Sequence, residues 1–184
     1  MKKLLFLLAL CCAAVACEST PDYMKADIEK NVSDGWYKLK GIQGLVYSDG
    51  KVDSLTRMSI WNGMITSIYY KVEDMQLSGY RYVECPRCGE KVTSTFSISY
   101  DLKNKVIEGN DILRFNEDEI ILIEPMQRAI EHYESDKNFV RTYTTYKRSA
   151  QTDEITYLLN NAIDSEEENL QFALTHIYSN CKQQ

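Results

Sequence analysis

Val52-Asp-Ser-Leu-Thr-Arg-Met-Ser-Ile-Trp61, then Asn62-Gly63, then Met64-Ile-Thr-Ser-Ile-Tyr-Tyr-Lys-Val72 is the stretch whose reading decides the fold. Asn-Gly between two β-rich runs is the strongest short-range hairpin signal. Both central residues of a type I′ turn need positive φ, and Asn and Gly tolerate it best. In the second run Met64, Thr66, Ile68, Tyr70 and Val72 alternate with Ile65, Ser67, Tyr69 and Lys71. Neither set is strongly polar, so one face is expected to meet a core and the other to be partly exposed.

Upstream, Asp34-Gly-Trp-Tyr-Lys-Leu39 opens a strand that runs to Tyr47, and Ser48-Asp49-Gly50 supplies a turn. Three consecutive antiparallel strands are expected, at about 36–47, 51–61 and 64–73, as a meander. Downstream, 80–84 and 92–100 flank a pair of cysteines, and Thr93, Thr95, Ser97 and Ser99 alternate with Ser94, Phe96, Ile98 and Tyr100. Short strands follow at 106–108 and 111–115. Glu119-Ile-Ile-Leu-Ile-Glu124 is the most apolar strand and is stopped by Pro125; 126–133 reads as a helical turn or an irregular crossing, and 139–148 as the last strand. About eight short strands predict a mainly β fold, an antiparallel up-and-down barrel whose closure removes exposed edges.

After Arg148 the period changes. Ile155, Leu158, Leu159, Ala162 and Ile163 share one helical face, as do Leu170, Ala173, Leu174 and Ile177. Thr152 or Asp153 can cap the first helix, and Ser165 with Glu168 fits a capping box for the second. The tail is therefore expected to be a helical hairpin packed on the barrel. The domain plan is 1–16 leader, 17–33 tether, 34–148 barrel and 149–184 helical extension. Within the tether, Tyr23, Met24, Ile28 and Val32 recur at helical spacing, which leaves a short helix or a loose linker as alternatives.

The leader begins with Lys2 and Lys3, continues with an apolar run from Leu4 to Leu10 too short to anchor as a membrane span, and ends Ala13-Ala-Val-Ala16 before Cys17. This resembles a bacterial lipoprotein signal. The resemblance implies cleavage before Cys17 and acylation of its thiol and its new amino group; ordinary secretory cleavage near Ala16 is the alternative. Several acyl chains make a lasting anchor, since each buried methylene adds roughly 0.8 kcal/mol. Glu18 is not the Asp that retains lipoproteins at the inner membrane, so the implied address is the cell envelope, at the outer membrane.

The chain carries 21 basic and 27 acidic residues; without Lys2 and Lys3 the balance is 19 against 27, a net −8. That excludes nucleic acid as a natural partner, because its binding depends on Lys and Arg meeting phosphates.

Taken together, the leader, the Gly35-Trp36 opening, the strand array, Arg114-Phe115-Asn116-Glu-Asp-Glu-Ile-Ile-Leu122 and Thr142-Tyr-Thr-Thr-Tyr-Lys-Arg148 resemble the small lipocalin-like lipoproteins of Bacteroidetes, over about 34–148. In lipocalin-like barrels a Gly-x-Trp stretch starts the first strand and its Trp closes the barrel floor. The resemblance implies an eight-strand barrel with a ligand mouth, and it carries no catalytic residues.

One motif has sharp chemistry: Cys85-Pro-Arg-Cys88-Gly89. Two thiolates at that spacing can grip one tetrahedral ion, with Cys181 and His132 or His176 completing a composite zinc site. A disulfide between Cys85 and Cys88, pinning a hairpin tip, fits an exported protein. Thioredoxin-like exchange would want the pair at a helix N-terminus, and here β-type residues flank it. No Gly-x-Ser-x-Gly, phosphate loop or His-Glu-x-x-His occurs. The expectation is therefore a non-enzymatic chain without a cofactor. It would be a membrane-tethered module for a small apolar ligand held among Tyr, Ile and Met. The alternative is a structural or protein-partner lipoprotein with a filled barrel.

Overall fold

The computed structural model describes residues 24–57, 65–150, 152–160, 163–164 and 179. The leader with Cys17, the Asn62-Gly63 turn and the second tail helix lie outside the described residues. The strands are β1 (Asp27–Ile28), β2 (Gly35–Ser48), β3 (Lys51–Arg57), β4 (Ile65–Glu73), β5 (Gln76–Glu84) and β6 (Lys91–Ser97). They continue with β7 (Tyr100–Asp101), β8 (Val106–Ile107), β9 (Asn110–Phe115), β10 (Glu119–Ile123), β11 (Phe139–Arg148) and β12 (Ile163–Asp164). Two helices are described, α1 (Met126–Tyr133) between β10 and β11 and α2 (Thr152–Asn160) after β11.

The strands form one sheet in the order β12-β6-β5-β4-β2-β11-β10-β9-β8-β7, with β1 added to β9 and β3 to β2. Only Ile98 and Ser99 separate β6, near one margin, from β7 at the other. A link of that length reaches about 11 Å at most, so the sheet must curl until its margins are neighbours there. The Glu108 amide donates to the Ser99 carbonyl at 2.7 Å and fastens this crossing. Among the described residues the margins do not pair elsewhere. The fold is thus a curled antiparallel half-barrel, where a closed barrel of about eight strands was expected.

The concave side is filled by Tyr37, Tyr70, Val72, Phe115, Ile120 and Tyr146, among others. Tyr70 and Tyr146 stack with centroids 4.2 Å apart. On the convex side α1 covers Leu45, Ile121, Ile123 and Tyr143 through Ala129, and α2 sets Ile155 and Leu159 against Trp36, Tyr69 and Tyr82. The apolar run of β10 follows from this layering. Ile120 and Leu122 face the inner cluster while Ile121 and Ile123 face α1, so neither face meets water.

A bulge makes one long strand serve both layers. Thr145 pairs with Gly41 but Tyr146 pairs with Leu39, so Lys40 is an extra residue in β2. An inserted residue inverts the alternation beyond it. Tyr37 and Leu39 therefore point inward, whereas Leu45 and Tyr47, of the same parity, point outward.

The hairpin expected between 52–61 and 64–72 is not formed among the described residues. Arg57 pairs with Gln43, and Tyr69 with Lys38. β3 and β4 thus lie end to end along the same edge of β2, both antiparallel to it. Pairing with the long β2 buries the inner residues of β4, which a two-strand ribbon would leave exposed. The two-residue turn comes instead at Asp74–Met75, between β4 and β5, with φ of 50° and 61°. Neither residue is glycine. The turn is held from outside, because the Asp74 amide donates to the Asp34 carboxylate at 2.9 Å and the Val32 amide to the Met75 sulfur at 3.3 Å.

The tether is neither helical nor loose from Asp27 onward. Its β1 pairs in parallel with the stretch of β9 that β8 leaves uncovered, and Val32 is buried in the inner cluster. In the tail α2 begins at Thr152 as the pattern required, but Ile163 leaves the helical face and pairs with Val92. A helical hairpin is not supported: the chain after α2 adds a parallel strand to the edge of β6.

Candidate functional site

The floor of the half-barrel is built around Gly35 and Tyr37. The Arg148 guanidinium crosses over them. A Cβ on Gly35 would lie 2.6 Å from an Arg148 nitrogen, so only glycine lets the guanidinium approach the backbone this closely. It is Tyr37, two residues after Gly35, that closes the floor; its side chain is fully buried and its hydroxyl donates to the Asn116 carbonyl at 2.9 Å. Trp36, the residue expected there, faces the other way and meets the Tyr80 ring at 4.8 Å. Alternation along the strand permits only one of the two neighbours to point inward.

The Cys85–Gly89 segment joins β5 to β6. The Cys85 amide donates to the Glu90 carbonyl at 3.0 Å, and the Gly89 amide donates to the Cys85 carbonyl at 2.9 Å. Gly89 sits at φ +72°, and the Cys88 amide donates to the Cys85 sulfur at 3.3 Å. Cys85 is fully buried and disulfide-bonded, while Cys88 is half-buried and its thiol is free. The two are therefore not bridged to each other, which corrects one of the readings of the motif.

Among the described residues no three His, Cys, Asp or Glu side chains gather as a metal site. Cys181 and His176 of the composite zinc set lie outside the described residues. His132 sits on α1, which packs on β11, and meets the Tyr133 ring at 5.0 Å. Likewise, no helix among the described residues is long and apolar enough to cross a membrane.

An open cleft of about 560 Å³ lies where β5 begins and β6 ends. It is lined by the register pairs Ser78–Ser97, Gly79–Phe96 and Tyr80–Thr95, together with Leu77 and Ile98. The Phe96 ring lies flat on Gly79: a Cβ there would stand 2.3 Å from a ring carbon. Arg81 places its guanidinium over the Phe96 ring, 5.8 Å from the ring centroid. The sequence singled out none of these residues, because Ser, Thr and Tyr in a strand read as an ordinary solvated face. The alternation at 92–100 was visible, but the cleft depends on which strand lies beside it and on where the sheet stops.

No protein-family model matches the chain, and neither the curated proteins nor the solved structures contain a significant match to it.

Proposed function

We propose that this protein is a lipid-anchored envelope protein, tethered through Cys17, whose half-barrel is a lipocalin-like scaffold holding a small amphipathic ligand at its open margin. The open cleft beside Phe96 is the single observation that carries the reading. Its volume falls in the range of small-molecule sites. Its apolar parts, Phe96, Leu77 and Ile98, suit a hydrocarbon body; Ser78, Thr95 and Ser97 offer hydroxyls, and Arg81 offers a cation beside the ring. The ligand site is thus the margin and not the centre, whose positions are taken by the protein's own rings. The chain binds without catalysis, and its acidic balance keeps nucleic acid away. The Gly35-x-Tyr37 floor supports the lipocalin-like kinship.

A second reading rests on that filled interior: a structural lipoprotein that meets a protein partner. Native mass spectrometry of the mature protein with a panel of fatty acids and other amphipathic carboxylates separates the two. Binding that is weakened at least tenfold by Ser97→Trp, with the melting temperature unchanged, supports the ligand reading. Absence of any binding from the panel removes it. Incorporation of labelled palmitate that is lost in Cys17→Ala tests the anchor.

A further inference from the structure

We infer, on the reading of the margin cleft as a ligand site, that its occupant carries an oxyacid head, a carboxylate or a phosphate monoester, and that Arg81 is the counter-ion that selects it. Arg114, Arg128, Arg141 and Arg148 each meet a carboxylate, of Glu119, Glu124, Asp111 and Glu117 respectively. Arg81 meets none among the described residues. It is half-buried, and its guanidinium faces the Phe96 ring that lines the cleft. A half-buried cation has given up part of its hydration, and an aromatic face offsets only a fraction of that cost.

The pleat explains why no acid of the protein itself fills the role. Arg81 pairs with Ile68 on β4 and Ser94 on β6, two residues along from the Gly79–Phe96 pair, so Arg81, Gly79 and Phe96 share the concave face. Glu84, the next acid along β5, has the opposite parity; it accepts from the Tyr82 hydroxyl at 2.8 Å and lies 4.0 Å from Lys91. Glu73, at the end of β4, is also on the outer face and pairs with Lys71 at 2.9 Å. No Asp or Glu lines the cleft, whose polar side chains are the neutral hydroxyls of Ser78, Tyr80, Thr95 and Ser97. In a chain with 27 acidic against 21 basic residues this is a local reversal of charge. It favours an anion and offers an ammonium head no partner.

Leu77 and Arg81 stand four residues apart on the same face of β5, about 13 Å along the strand. An apolar body laid from Leu77 past the Phe96 ring brings its end to the guanidinium. The forked donors of that group match the two oxygens of a carboxylate or phosphate.

Native mass spectrometry of the mature protein with decanoate, decyl phosphate, decanol and decylamine, which share a tail and differ in head, tests this. Decanoate, decyl phosphate or both should be retained at least about tenfold more tightly than decanol and decylamine, as a charge-assisted hydrogen bond requires. Whichever acid is retained identifies the head as carboxylate, phosphate or either. Arg81→Gln should bring the acids down to the level of decanol and leave decanol itself unchanged. Equal retention of acids and decanol by the wild type overturns the role of Arg81, whether or not the variant folds. Unchanged acid binding in a folded Arg81→Gln overturns it too, and in both cases the cleft still stands as a ligand site. Retention of none of the probes, with none from the wider panel, removes the ligand reading and the acid head together.

Discussion

The Arg148 guanidinium sits 5.6 Å from the centre of the Tyr37 ring and donates to its hydroxyl at 3.1 Å. The same group donates to the Ser33 hydroxyl at 2.9 Å, the Asp34 carbonyl at 2.6 Å and the Glu117 carboxylate at 2.6 Å. One side chain on the last long strand thereby joins the tether, the start of β2 and the β9–β10 turn. A planar fork with several fixed donors makes this possible, and a lysine's point charge cannot.

Replacing Arg148 by Met should therefore lower stability by about 2 kcal/mol, as expected for loss of charge-assisted hydrogen bonds at a partly buried site. Arg148→Lys should recover little of it. Gly35→Ala, which drives a methyl group against the guanidinium, should move in the same direction. Urea midpoints of the three variants check this, and an unchanged midpoint in Arg148→Met would refute the latch.

Gly79→Ala should cost about 1–3 kcal/mol, the range for overpacking, because the new methyl meets the Phe96 ring. Truncating the ring makes room for it. The double variant Gly79→Ala with Phe96→Ala should accordingly lose less than the sum of the single variants, a coupling that thermal melts can measure.

Deleting Lys40 should leave the two layers intact. The deletion removes the bulge, but Tyr37 and Leu45 then stand an odd number of positions apart and still fall on opposite faces of a regular strand. Soluble protein with an unchanged circular dichroism spectrum is expected, and an unfolded deletion variant would contradict this account of the bulge. Lys40→Ala, at an exposed site, should stay within about 0.5 kcal/mol of the parent.

Glu119 should give the acid limb of stability a measurable slope. Burial pushes its carboxyl pKa up, but hydrogen bonds from Lys147 and Arg114 outweigh this and hold it below the usual value. A folded-state pKa below the unfolded value of about 4.3 means that the contribution is complete above that pH. It is lost as pH falls through the folded-state pKa. Denaturation midpoints from pH 7 to pH 2 should show the wild type losing its advantage over Glu119→Gln on the acid side; parallel curves would contradict the assignment.

The strand pattern was legible because it is local. Residues 35–48, 119–123 and 139–148 alternate or run apolar in ways that water and the pleat impose on any chain, and turn residues such as Asp49-Gly50 mark where they stop. Pairing was not legible. Asn62-Gly63 argued for a ribbon of neighbouring strands, yet β3 and β4 each found β2, since a long strand with two buried faces offers more contact than a hairpin partner. The turn at Asp74–Met75 escaped notice because its positive φ values are held by Asp34 and Val32, distant in sequence. The cleft was hidden for the same reason, being a property of a margin and not of a motif.

By itself, then, the sequence determined the long strands, the acidic balance and the Cys-Pro-Arg-Cys-Gly turn, all consequences of neighbours along the chain. Only the tertiary structure decided that Tyr37 and not Trp36 turns inward, that the sheet curls without pairing its margins throughout, and that Cys85 bonds beyond its own motif. Those outcomes depend on which surfaces meet across the sheet. A single bulged residue, Lys40, is enough to break the parity by which the faces of its strand would be read from the sequence.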